Sequence, residues 1–129
     1  MSDIHELRLD WHLGAALPAA LLDELRGHLE PDPDGEREPE PLLDATGPAW
    51  RVGGVLNSVL TPLPDGWALV VRQEVHTERL DELRDLLDRL APHSAADGPI
   101  GSIRFYEYES GDVLEVRGGV VRGLDSLDS

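Results

Sequence analysis

Between His5 and Leu13 every second residue is apolar: Leu7, Leu9, Trp11 and Leu13 alternate with Glu6, Arg8, Asp10 and His12. A period of two sends successive side chains to opposite faces, so this stretch predicts a strand with one buried face. After Gly14 the spacing lengthens. Leu17, Leu21, Leu25 and His28/Leu29 fall at helical intervals, Pro18 suits a first turn and Gly27 sits near the end, which predicts a helix over about Pro18–Leu29. Two runs rich in β-branched and aromatic residues, Trp50–Leu60 and Gly66–Val75, flank the turn-forming Thr61-Pro62-Leu63-Pro64-Asp65-Gly66 and predict an antiparallel hairpin. Gly53 and Gly54 mark a bulge or close backbone approach in the first run, and Trp67, Leu69 and Val71 share a face of the second.

Thr77 then caps a helix in which Leu80, Leu83, Leu87 and Leu90 make a continuous stripe. Asp81/Arg84, Arg84/Asp88 and Asp85/Arg89 are spaced for surface pairs, and Pro92 ends the helix. Alternation returns over Gly101–Tyr108, with Ile103 and Phe105 against Arg104, Tyr106 and Tyr108. Ser110-Gly111-Asp112 turns into a strand at Val113–Arg117, and Gly118-Gly119 leads to a short one at Val120–Arg122. The order is β-α-β-β-α-β-β plus a short strand. An α+β antiparallel sheet with two helices on one face, related to the ferredoxin-like split β-α-β arrangement, buries both leucine stripes on a single surface. The reading is one domain over residues 1–122, with a frayed acidic tail at 123–129. Residues 30–48 carry Pro31, Pro33, Pro39, Pro41 and Pro48 with seven carboxylates, which predicts an exposed loop. Its acidity serves either a partner contact or solvation alone.

Charge narrows the partners. The 129 residues hold 26 carboxylates and 11 cations, all of them arginine, for a net charge of −15. Such a field repels nucleic acid and anionic membrane surfaces and accelerates the approach of a cationic protein, although acidity also serves solubility. With no cysteine there are no disulfides, thiolate metal sites or cysteine nucleophiles. No apolar run approaches the roughly 20 residues of a membrane span, and Met1–Asp10 has neither a basic nor an apolar leader segment, so a cytoplasmic protein is expected.

The motif search returns no phosphate loop, dinucleotide fingerprint, nucleophile elbow or zinc helix, and the histidines at 5, 12, 28, 76 and 93 do not share ligand spacing on one helix. No metal or cofactor is expected. Two constellations remain. Glu74 and His76 lie two apart on one strand face, where a carboxylate can orient a ring for base chemistry, while a histidine at a helix start also serves as an ordinary surface or capping residue. Tyr106 and Tyr108, placed on one face of their strand beside Glu107, Glu109 and Asp112, combine aromatic anchors with carboxylates as a basic partner requires; packing across the strand pair is the structural alternative. Trp11, Trp50 and Trp67 are assigned to strands and the core.

The second half carries a family resemblance. Val71-Arg72-Gln73-Glu74-Val75-His76, the helix to Leu90, Ala91-Pro92-His93-Ser94, Gly101 to Glu109, and Val113-Leu114-Glu115-Val116-Arg117-Gly118-Gly119-Val120-Val121 resemble the seventh immunity-protein family of bacterial polymorphic toxin systems. The chain departs from that pattern at Ala95-Ala96-Asp97-Gly98-Pro99, which interrupts a glycine-rich step, and lacks a tryptophan in the late strand. The resemblance implies a non-enzymatic inhibitor that lays an acidic surface over a cognate, basic toxin domain. Its partner-binding candidates are Glu74, His76, Tyr106, Glu107, Tyr108, Glu109 and Asp112. Two other readings stand beside it: a small enzyme or ligand-binding domain with a pocket around Glu74 and His76 beneath the proline-rich loop, and a homodimer that pairs strand edges.

Overall fold

The alternating segment near the start of the chain lies in the middle of the molecule. In the computed structural model, which describes residues 3–31, 34–36 and 40–123, strand β1 (Ile4–Gly14) is hydrogen-bonded on both sides. It pairs antiparallel with β4 (Gly66–His76) along its whole length, from Ile4↔His76 to Gly14↔Gly66, and with β5 (Gly98–Phe105) from His5↔Phe105 to Leu9↔Gly101. β3 (Val55–Leu63) continues the sheet beyond β4; β6 (Asp112–Arg117) and β7 (Val120–Arg122) continue it beyond β5. A two-residue strand, β2 (Gly47–Pro48), adds to the edge of β3, giving seven strands in the order β2-β3-β4-β1-β5-β6-β7, where the sequence suggests six.

The register separates two faces. Leu7, Leu9, Trp11 and Leu13 of β1 point inward together with Leu69, Val71 and Val75 of β4, Ile103 of β5, and Leu114 and Val116 of β6. Helices α1 (Ala19–Leu29) and α2 (Leu80–Leu90) cover this face. Leu25 of α1 and Leu80, Leu83, Leu86, Leu87 and Leu90 of α2 join the same core. An isolated helix of this length is marginal in water; burial at roughly 1.5–3 kcal/mol per leucine side chain holds α2 in place. Arg89 of α2 reaches Glu24 of α1 and Asp85 of its own helix, tying the two helices at their surface. The one polar atom of Trp11 is satisfied as well: its indole N–H donates to Ser94 Oγ at 2.9 Å.

Three boundaries depart from the pattern. β3 begins at Val55 rather than Trp50, because Gly53 and Gly54 both take positive φ and turn the chain back over the sheet. A side chain at Gly54 would also meet the Arg72 guanidinium at 3.2 Å. Of the acidic loop at 30–48, the end nearest the sheet is not exposed: Pro41, Leu42 and Leu43 are buried. His28 holds them. Its Nδ1 accepts the Leu42 N–H and its carbonyl accepts the Leu43 N–H, while Arg79 donates to the carbonyls of Glu40 and Pro41. Burial lowers the His28 pKa and outweighs the opposing pull of Glu24, which keeps the ring neutral and able to accept. Finally, β5 stops at Phe105. The Tyr108 N–H donates to the Phe105 carbonyl and closes a turn, so Tyr106 and Tyr108 do not alternate along a strand. The tail expected to fray falls, from residue 124 on, outside the described residues, as do 32–33 and 37–39 of the loop.

Candidate functional site

Among the described residues no second layer covers most of the sheet face away from the helices, and arginine gathers there. Cross-strand pairing places Arg8, Arg72 and Arg104 around Glu6 in the central strand. Its carboxylate accepts from Arg72 at 2.6 Å, Arg8 at 3.2 Å and Arg104 at 3.2 Å, with the Glu6 side chain only 7% exposed. Burial pushes the Glu6 pKa up, and the hydrogen bonds and charges of the three guanidiniums overcome it, so the net shift is downward and the group is ionised. Two of the arginines also donate to backbone carbonyls. Arg72 donates to the Val55 carbonyl, and Arg104 to those of Tyr106 and Tyr108. Glu6 is thus the hub that fastens both the 49–55 segment and the 106–108 turn to the sheet.

Glu74, next to Glu6 across the strand pair, fixes the same segment from another side. Its carboxylate accepts the backbone N–H groups of Trp50, Arg51 and Val52 at 2.7, 2.5 and 3.1 Å. Three backbone donors on one carboxylate form a small anion nest, here filled by the protein's own side chain. The result is to present Trp50 outward, 64% exposed, with the Arg51 guanidinium 4.5 Å from its ring centroid and 5.8 Å from that of Tyr106. Tyr106 donates its hydroxyl to Glu107 at 3.1 Å, and this bond to a carboxylate raises the phenol pKa.

On the other side of the turn, Phe105 makes a tilted contact with Tyr106 and edge contacts with Tyr108 and His5 at centroid separations of 5.0–5.4 Å. Tyr108 remains 65% exposed. Below it opens a groove of about 330 Å³ lined by Asp3, His5, Thr77, Phe105, Tyr108 and Asp112, among others. His5 is buried, and burial lowers its pKa against the opposing charge of Asp3. The Thr77 hydroxyl lies 3.5 Å from His5 Nδ1 and 3.3 Å from the Asp3 carbonyl, to which it donates.

The seven residues singled out in the sequence therefore all lie at one end of the sheet. Tyr106, Glu107, Tyr108, Glu109 and Asp112 belong to a single turn and the start of β6. Glu74 and His76, near the end of β4, are separated from β5 by β1 and connected to the turn through Arg51. Glu74 is occupied by backbone amides, and Nδ1 of half-buried His76 has no hydrogen-bond partner among the described residues. Neither residue lines the 330 Å³ groove. Trp50, assigned to the core by its neighbours, is instead an exposed member of the site. Arg51, Asp3 and His5 also belong here. The signal for Trp50 was the Gly53-Gly54 pair, which breaks the strand just after it.

Charge and apolar surface are distributed unevenly. The helical side, comprising the described residues of 18–45 together with 77–90, carries twelve carboxylates against four arginines. On the outer face, Arg8, Arg72, Arg104, Arg117 and Arg122 stand against Glu6, Asp10, Glu74 and Glu115, a nearly balanced set. At the aromatic end, Asp3, Glu107, Glu109 and Asp112 outnumber Arg51. Among the described residues the exposed large hydrophobic ones are Val55, Val59, Val70, Val113 and Val120 on the outer face, with Trp50 and Tyr108 at the end of the sheet. Among the described residues no His, Asp and Glu side chains converge into a metal-binding set, and no helix is long and apolar enough to cross a membrane. No protein-family model matches the chain, and neither a curated protein nor a solved structure matches it.

Proposed function

We propose that this chain is a non-catalytic binding protein of the immunity type, which acts in the cytoplasm by docking onto a basic toxin domain and blocking it. The observation that carries the reading is the pairing of two largely exposed aromatic anchors, Trp50 and Tyr108, with an acidic rim at one end of the sheet. An interface anchor is an aromatic side chain that leaves water on contact, and carboxylates around it select a cationic counterpart. The net charge of −15 steers that counterpart from a distance. Glu107 and Glu109 belong to the rim and Tyr106 to the wall behind Arg51. Glu74 contributes by shaping the 50–52 segment, and His76 is the last residue of the same strand.

We infer from its crossovers that the fold is related to the ferredoxin-like split arrangement. β1 and β3 flank β4, and β4 and β5 flank β1, so each helix carries the chain across one intervening strand. β2, β6 and β7 are then additions at the two edges.

Co-expression tests the function. Cells producing the basic C-terminal domain of a secreted protein encoded beside this chain are expected to survive when this protein is present and to die without it. Death in both conditions, with both proteins soluble, would refute an inhibitory role toward that domain.

A further inference from the structure

Resting on the proposal that this end of the sheet is the docking surface, we infer that the groove beneath Tyr108 is a receptor for a single arginine side chain of the partner. Three features converge on that chemistry. The groove holds about 330 Å³, near the bottom of the roughly 300–1,000 Å³ range of ligand pockets, which suits one long side chain rather than a folded segment. Two of its walls, Phe105 and Tyr108, are aromatic, with ring centroids 5.2 Å apart, and Tyr108 is 65% exposed, which leaves aromatic surface open to a partner. A planar guanidinium stacks on such a surface better than an ammonium does. Asp3 and Asp112 line the groove from β1's side and from the start of β6, and Glu109 follows Tyr108 on the turn.

The two basic groups that also line the groove do not oppose this. Arg104 is matched by Glu6 and by the carbonyls of Tyr106 and Tyr108. His5 is kept neutral by its burial. Two hydroxyls also line the groove, those of Thr77 and Ser110; the Thr77 hydroxyl directs its proton to the Asp3 carbonyl and leaves oxygen lone pairs for an incoming N–H.

The test uses the intact protein and capped amino acids as probes, followed through its amide and aromatic NMR signals. N-acetyl-arginine amide is expected to shift the signals of His5, Phe105 and Tyr108 in a saturable way. N-acetyl-citrulline amide, which has the same shape without the charge, is expected to leave them in place, and the lysine analogue to bind more weakly than arginine. Tyr108→Ala, at an exposed position, and the Asp3→Asn/Asp112→Asn pair are each expected to weaken arginine binding about tenfold, with the amide spectrum confirming the fold. Shifts spread over α2 and the acidic loop, or equal shifts with citrulline, would overturn the groove assignment. The wider proposal is scored separately with the basic domain itself. If Trp50→Ala weakens that complex while Asp3→Asn/Asp112→Asn does not, the docking surface stands and the arginine receptor falls; if neither substitution matters, both fall.

Discussion

Replacing Glu6 by glutamine is expected to destabilise the fold by about 3 kcal/mol, the lower end of the range for removing one partner of a buried ion pair. The lower end applies because the arginines are only partly buried: Arg72 and Arg104 are 22% exposed and Arg8 is 59% exposed, so water screens the charges left behind. Glutamine keeps the shape and some of the hydrogen bonding but leaves three guanidiniums packed together without a counter-charge. It also loosens Arg72 from the Val55 carbonyl and Arg104 from the 106–108 turn, so the binding end should lose order along with the global stability. The pH dependence has a definite sign. The folded-state pKa of Glu6 lies below its ordinary value, so its contribution is complete above the usual glutamate range near 4.3 and disappears as the pH falls through the lower folded value. Urea unfolding of the wild type and Glu6→Gln at pH 7 and again at about pH 3 measures both claims. The gap between the two proteins should narrow in acid, and a difference below about 1 kcal/mol at pH 7 would remove Glu6 from its place as hub.

The second large effect concerns binding. Trp50→Ala and Tyr108→Ala are each expected to weaken the complex with the basic domain by about 2 kcal/mol, or roughly thirtyfold in Kd. Their stability should change by no more than about 0.5 kcal/mol, because both side chains are more than half exposed in the free protein. Glu107→Gln and Glu109→Gln occupy the rim and should act chiefly on the association rate, leaving dissociation nearly unchanged. Calorimetry on the two alanine variants, with kinetics on the two glutamine variants, separates anchor from rim. Alanine substitutions that leave Kd within twofold would show that the aromatic end is not the interface.

The elements themselves were largely legible in the sequence. β1 follows from its strict alternation and α2 from its leucine stripe, because in each the burial pattern runs the full length of the element and nothing competes with it. The misreadings share a cause. Tyr106-Glu107-Tyr108 continues the period of two set up by β5, but that period does not show where a strand loses its neighbours; Arg104 and the 105–108 turn end it. Trp50 lies among β-forming residues, yet the positive φ of Gly53 and Gly54 turns its segment back onto the sheet, where Glu74 collects its amides. Glu6 was the hardest to see. Alternation marks it as a solvent-facing position, and only the register of β4 and β5, which brings Arg72 and Arg104 to either side, makes it a buried centre. Leu42-Leu43, in contrast, was a visible apolar pair inside an acidic loop, and its burial against His28 follows from the ordinary preference of adjacent leucines for a core.

The segregation of charge separates two roles that the sequence alone merges. Twelve carboxylates on the helical side supply most of the long-range field, whereas the aromatic end supplies the contact. A partner steered by the first and held by the second should respond to salt in its association rate and to anchor substitutions in its dissociation rate.

The most direct measurement is therefore the association rate constant of this protein with the basic domain, followed by stopped flow as salt rises from about 10 mM to 500 mM, over which the Debye length contracts from roughly 30 Å to a few ångströms. A fall of at least tenfold, with Tyr108→Ala accelerating dissociation at every salt concentration, is the predicted result. A rate indifferent to ionic strength, or a dissociation rate unmoved by the loss of Tyr108, would contradict the account.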